Sequence, residues 1–234
     1  MALLESMNLA DPTNIAGHSS PAEGPDAASR PALSRQHEEH VTPPRTIRAP
    51  PERLVEGGLV LRRWKLSDAA ELYAAASNST VELARWMPWA ADGYDLTKAQ
   101  QFLDFTSKAW DNGETYDFAV IVDGRVSGSF GLMTPATKAP NTLEVGYWLA
   151  NEATGRGFAT RAASLLTRTA FEMGADHVQI RHDELNHRSG AIPHRLGFKS
   201  LGLIRLPAGK GGGKVVSLLW QKDVDSDTSA PPCG

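Results

Sequence analysis

The chain has 234 residues, 41% hydrophobic and 22% charged, with a formal net charge of −3 at pH 7. That length suits one domain with tails, and the scattered Lys and Arg give nucleic acid no basic patch to bind. One cysteine, Cys233, excludes an internal disulfide and a cysteine metal site, and no apolar run nears the ~18 residues of a membrane span. The N-terminus lacks the basic and apolar regions of a secretory signal, so a cytoplasmic address is expected, with no membrane partner.

Residues 1–52 hold eight of the 15 prolines, spaced by Ser, Ala, Glu and Asp. Such a segment cannot bury enough apolar surface to offset its chain entropy, and disorder is expected there and in the similar tail, 223–234. The folded domain is then 53–222. Leu59–Trp64 reads as a strand, and Ser67-Asp68 as the cap of an Ala-rich helix through about Ser77. Thr97-Lys98-Ala99-Gln100 has capping-box form and opens a helix with Phe102, Leu103, Phe105 and Trp110 as its buried stripe. Asn112-Gly113 stops it. Residues 116–122 and 126–133 form a hairpin over Asp123-Gly124. A strand at 142–149 leads to a helix from about Gly157 to Met173, ended by Gly174. A strand at 177–182 and a helix of about eight residues ending at Leu196-Gly197 follow. Strands 201–204 and 215–220 close the domain around Gly211-Gly212-Gly213. The class is mixed α/β, antiparallel in front, with strand–helix–strand crossovers behind and no internal repeat.

The densest chemical signal is the strand Leu143–Ala150 running into Thr154-Gly155-Arg156-Gly157-Phe158-Ala159-Thr160. A glycine turn that opens a helix aims free backbone N–H groups and a positive dipole end at one point, which suits a diphosphate. The spacing is neither a dinucleotide fingerprint nor a phosphate loop of the nucleoside triphosphatases. Gly155 and Gly157 allow close backbone approach, and Arg156 can add a charge-assisted contact. The alternative is a plain flexible loop. Glu144, on the strand feeding the turn, is a candidate base; the alternative is a surface ion-pair partner. It shares a strand face with Gly146 and Trp148. His177, His182, His187 and His194 have spacings that fit no standard metal site, so no metal is expected. Trp86, Trp89 and Tyr94 form either an aromatic acceptor wall or plain core.

Thr154–Ala159 resembles the pyrophosphate turn of the Gcn5-related N-acetyltransferases, with Thr154 standing where that family carries Gln or Arg. Leu59–Trp64 with Asp68-Ala69, Arg85-Trp86-Met87-Pro88-Trp89, Glu144–Leu149, and Asn186-His187-Arg188-Ser189 closing at Leu196-Gly197-Phe198 resemble its RimJ/RimL-like branch. The resemblance implies a mixed, mostly antiparallel sheet of about seven strands, splayed between the family's strands four and five and flanked by about four helices. It implies that acetyl-coenzyme A lies along Tyr147, Trp148, Leu149, Gly155, Arg156, Gly157, Phe158, Ala159, Thr160 and Asn186. A backbone N–H near Tyr147 or Trp148 would serve the oxyanion, and Ser189 would donate to the leaving thiolate. Many members place a tyrosine four residues after that serine, but here the position is Pro193, which cannot donate. The implied reaction is acetyl transfer to a primary amine by direct attack in a ternary complex. The expected acceptor is a protein N-terminus, with Trp86, Trp89 and Tyr94 beside it. A small-molecule amine such as an antibiotic or polyamine, or a non-catalytic acyl-coenzyme A-binding module, is the alternative. A monomer or homodimer is expected.

Overall fold

The computed structural model describes residues 47–207 and 214–224. Gly57 and Gly58, with φ of 49° and 83°, fold Arg53–Glu56 (β1) back on Leu59–Arg63 (β2). The sequence reading has no strand before Leu59, although a Gly-Gly pair is a hairpin signal. A 3₁₀ turn, Leu66–Asp68, leads into Ala69–Ser77 (α1). Asp68 does not cap α1 as expected. Its buried carboxylate is taken by the Arg62 guanidinium at 2.6 and 2.9 Å and by the Lys65 N–H at 2.9 Å. A guanidinium in reach forms stronger charge-assisted bonds than a helix-end amide does.

After a single-turn helix, Thr80–Leu83 (α2), and a 3₁₀ turn at Pro88–Ala90, the chain enters Leu96–Asp111 (α3). The cap of α3 is Asp95, which accepts the Lys98 N–H at 2.7 Å, two residues ahead of the expected Thr97. Asn112 and Gly113, the latter at φ 73°, end the helix as expected. Thr115–Val122 (β3) and Arg125–Met133 (β4) turn over Asp123 and Gly124, whose φ values of 50° and 78° are the pair a tight hairpin needs. Next come Thr142–Leu149 (β5), Phe158–Met173 (α4), His177–Asp183 (β6), His187–Arg195 (α5), Lys199–Pro207 (β7) and Lys214–Asp223 (β8).

The strands form one sheet in the order β1-β2-β3-β4-β5-β6-β8-β7. Every pair is antiparallel except β5–β6, where the α4 crossover returns the chain in the same direction. The sheet thus has eight strands rather than about seven, the addition being β1. One face packs Leu143, Val145, Val178 and Ile180 against Ala163, Leu166 and Ala170 of α4. The other packs Ala119, Met133 and Trp148 against Leu72 of α1 and Phe102 and Leu103 of α3.

The β5–β6 ladder runs from Thr142 and His177 to Val145 and Ile180 and stops there. Each strand continues with its other neighbour: β5 stays on β4 to the Leu149–Gly128 pair, and β6 stays on β8 to the Asp183–Ser217 pair. Two strands bound to diverging partners must part, and a wedge opens between them.

The disorder expected for 1–52 does not extend to residues 47–52. Arg48 donates its N–H to the Met173 carbonyl at 2.9 Å, satisfying an orphan group at the end of α4, while Pro50 is buried and Ile47 packs on the core. At the other end Asp223 still pairs with His177, so the domain runs past 222. Residues 1–46 and 225–234 and the Gly211–Gly213 loop lie outside the described residues.

Asp117 on β3 is 1% exposed; its Oδ2 accepts Thr106 Oγ1 at 2.9 Å and Thr115 Oγ1 at 3.3 Å, and its Oδ1 has no partner. Burial pushes its carboxyl up to about 6, against the pull of the two threonines. The folded state therefore favours the protonated acid, and the stability this adds at low pH is lost as the pH rises from 3.8 to about 6. Asp117→Asn should accordingly raise Tm at pH 7.5, with the gain shrinking as melts are repeated down to pH 4. A constant or negative difference across that range would contradict the assignment.

Candidate active site

Alternation along β5 sends Glu144, Gly146 and Trp148 to one face of the sheet and Val145, Tyr147 and Leu149 to the other. The same alternation on β6 puts Arg181 and Asp183 on the Glu144 side. Together with Ser217 of β8 these residues floor a cavity of about 260 Å³, whose opposite wall is the segment from Ala84 to Trp89. Glu144 is not a surface residue. Its Oε1 accepts Arg181 Nη2 at 3.0 Å, its Oε2 accepts the Ala136 N–H at 3.1 Å, and the side chains of Glu144 and Arg181 are each 2% exposed. Both carboxylate oxygens are thus engaged, one by a buried guanidinium and one by a backbone N–H, where the expectation was a free base.

On the other face Tyr147 reaches across the wedge. Its ring stacks on Phe130 with centroids 4.8 Å apart, and its hydroxyl lies 3.0 Å from Ser189 Oγ and 3.3 Å from the Ser189 carbonyl oxygen. Pro193 explains the second contact. In an α-helix the N–H of residue 193 would bond the carbonyl of residue 189, and proline has none to give. The Tyr147 O–H supplies the missing donor, and Ser189 Oγ can then donate to Tyr147 Oη. Burial holds the Tyr147 phenol up to about 12, so it stays a neutral hydroxyl. Asn186 caps α5 by accepting the Ser189 N–H at 3.1 Å, which fixes the serine at the rim of the wedge.

The glycine turn has the anticipated backbone. Gly155 and Gly157 have φ of 75° and 78°, and the N–H groups of Phe158, Ala159 and Thr160 open α4 with no intrahelical partners. Thr154 turns away, its Oγ1 donating to the Asn151 carbonyl at 2.8 Å. Arg156 lies over the Phe158 ring and pairs with Asp123 of the β3–β4 turn at 3.1 Å. Both partners are at least half exposed, so the pair is weak and Arg156 can exchange Asp123 for an anion in the turn.

Trp86 and Trp89 line the cavity, but Tyr94 does not: it is buried edge-on against Trp89, 5.2 Å between centroids, as part of the core. Trp89 also packs on Trp148 at 5.8 Å. Leu149 packs on the α4 side of the sheet. His182 is fixed by two bonds. A backbone oxygen can only accept, so Nδ1 carries the proton given to the Asp183 carbonyl at 2.7 Å; Trp220 Nε1–H can only donate, so Nε2 accepts it at 2.9 Å. Burial holds this imidazole below its ordinary range and both nitrogens are spent, which leaves no base there. Among the described residues no group of three or more His, Cys, Asp or Glu side chains converges as a metal site would, and no described helix is long and apolar enough to cross a membrane.

Sequence reasoning missed Arg181, Asp183 and Ser217. Their signal was the alternation of β6, where Gln179 and Arg181 interleave with Val178 and Ile180. An arginine on a central strand needs an acid beside it, and Glu144 was already in view.

The sequence profile of the acetyltransferase (GNAT) domain matches residues 58–199. A Bacillus subtilis (strain 168) protein named "Putative ribosomal N-acetyltransferase YdaF" is 28% identical over 157 residues, spanning 63% of this chain and 81% of that protein. Among solved structures, the RimL ribosomal L7/L12 α-N-protein acetyltransferase with coenzyme A superposes with a TM-score of 0.66 at 16% identity, covering 74% of this chain and 98% of that one. Mycobacterium smegmatis RimJ in complex with CoA-disulfide gives a TM-score of 0.63 at 22% identity, covering 71% and 82%.

Gly190 lets α5 sit on His182: a Cβ there would come within 2.7 Å of the ring Cε1 and 2.8 Å of Nε2. Because the ring is bonded at both nitrogens it cannot step aside, and overpacking of this kind costs about 1–3 kcal/mol. Gly190→Ala should therefore lower Tm by several degrees in a thermal melt. A Tm equal to wild type would mean that His182 is not held as described.

Proposed function

The chain belongs to the GNAT acetyltransferases, and from that footing we propose that it moves an acetyl group from acetyl-coenzyme A to a protein N-terminal α-amine. The observation that carries this reading is the wedge between β5 and β6, with the glycine turn at one end of β5 and a polar cavity against its other face. An extended thioester entering the wedge meets the unpaired edges of β5 and β6, which offer backbone donors and acceptors past Val145. We assign Tyr147, Trp148 and Leu149 to the arm of the cofactor, Gly155, Arg156, Gly157, Phe158, Ala159 and Thr160 to its pyrophosphate, and Asn186 to the rim. The acceptor enters along Trp86 and Trp89. The names of RimL, RimJ and the B. subtilis relative support a ribosomal-protein N-terminus as the acceptor. Such acceptors are met in the cytoplasm, where we place the enzyme.

The chemistry asked of the protein is modest. The amine must lose a proton, the oxyanion needs a donor, and the thiolate needs a proton as the C–S bond breaks. Ser189, one hydroxyl away from Tyr147, is the group we assign to the thiolate. A backbone N–H of Tyr147 or Trp148 on the open edge serves the oxyanion. Glu144, held by Arg181 and the Ala136 N–H, fixes an amine N–H or a water at the cavity floor. A non-catalytic acyl-coenzyme A binder would need neither the polar floor nor the serine.

The direct test is thiol release from acetyl-coenzyme A by the purified protein with peptides bearing free N-termini, beside polyamine and antibiotic amines. Release with peptides is expected; release with only the small amines would move the acceptor assignment, and cofactor binding without release would indicate a binder. Ser189→Ala should lower kcat by about a hundredfold while leaving the cofactor Kd near wild type. An unchanged kcat would remove the serine from the mechanism. Gly157→Val places a branched residue at φ 78°, a strain of about 1–3 kcal/mol, and should raise the KM for acetyl-coenzyme A about tenfold or more. A wild-type KM would remove the turn from the cofactor site.

A further inference from the structure

Three charged side chains lie on the cavity floor: Glu144, Arg181 and Asp183. The first two neutralise each other at 3.0 Å, both buried. On the wall, Arg85 pairs with Glu82 at 3.3 Å. Among the described residues no cationic side chain bonds Asp183. Its Oδ1 accepts the Leu185 N–H at 2.9 Å, and its own carbonyl takes the His182 Nδ1 proton at 2.7 Å, so side chain and peptide are both held in place. The other titratable groups near it are His182, fixed as the neutral imidazole, and His187 at the start of α5. Opposite Asp183 on β8 stands Ser217, which is uncharged and buried. The cavity floor therefore carries one uncompensated negative charge, half-buried at the open end of β6. A primary ammonium is its complement, and Trp86 and Trp89 line the same cavity.

Resting on the acetyltransferase reading, we infer that Asp183 is the catalytic residue that binds the acceptor as its ammonium ion and takes the proton that frees the attacking lone pair. The step balances. The ammonium gives one proton to the Asp183 carboxylate, and the neutral nitrogen then forms its bond to the acetyl carbon. The C–S bond breaks with its electron pair going to sulfur. The second nitrogen proton passes to water with the collapse, and the thiolate takes the Ser189 hydroxyl proton, which the serine recovers from water. Asp183 returns its proton to water. Glu144 is excluded from this role because Arg181 holds it, and His182 because both its nitrogens are bonded.

The distinguishing readout is the pH profile of kcat/KM. With a synthetic peptide whose free α-amine has a pKa of about 8, an enzyme that captures the ammonium keeps its kcat/KM nearly level from pH 8 down to pH 6. Asp183→Asn should instead follow the neutral amine, falling about tenfold per pH unit below 8, and Asp183→Glu should restore the level profile. The calorimetric Kd for acetyl-coenzyme A should be the same in all three proteins, which shows that the fold and cofactor site are intact. If Asp183→Asn keeps the wild-type pH dependence, whether its rate is unchanged or uniformly lower, the inference is overturned while the transferase reading stands. A wild-type protein that releases no thiol with any amine overturns that reading, and this one with it.

Discussion

The last shared rung of β5 and β6 decides where everything else in the site can be. Up to Val145 and Ile180 the two strands satisfy each other's backbone; beyond it each belongs to a different antiparallel partner. At that fork the side chains take over from the ladder. Glu144 and Arg181 close it on one face of the sheet, and Tyr147 and Ser189 bridge it on the other. Burying an ion pair adds little net stability against an apolar alternative. What it does here is locate the fork: with either partner alone, a desolvated charge would have to find water by moving the strand that carries it.

The period of two along a single strand lets β5 serve two different chemistries. Residues 144, 146 and 148 lie on the α1–α3 side of the sheet, and 145, 147 and 149 on the α4 side. The Glu144–Arg181 pair lies on the first side and the Tyr147–Ser189 pair on the second. Both sets meet at the wedge, where Tyr147, Asn186 and Ser189 line the same cavity as Glu144, Arg181 and Asp183. Gly146 stands between them without a side chain to fill the cavity.

Much of this was legible in the sequence where local chemistry acts alone. The β3–β4 hairpin announced itself through Asp123-Gly124, the limits of α4 through Gly157 and Gly174, and β5 through its alternating run. The failures came where a distant partner outbid a local one. Asp68 looks like a cap until Arg62 is folded beside it, and Thr97 loses to Asp95 because the chain enters α3 extended there. Glu144 reads as a base on a strand, and only the parallel pairing that brings Arg181 alongside shows that its charge is spoken for. Tyr94, placed by sequence with the acceptor wall, lies behind that wall because Trp89 covers it. Faces of strands can be inferred from alternation, but which face meets a cavity depends on helices packed from far along the chain.

Pro193 and Tyr147, far apart in the chain, are coupled through the Ser189 carbonyl. The proline strips a helix carbonyl of its donor, and a phenol from another strand fills the vacancy. The two positions are therefore epistatic. Any residue but proline at 193 brings back an amide that competes for the Ser189 carbonyl, which frees the phenol and reorients the serine. A tyrosine introduced at 193 would arrive together with that amide and disturb the existing hydroxyl pair before offering its own.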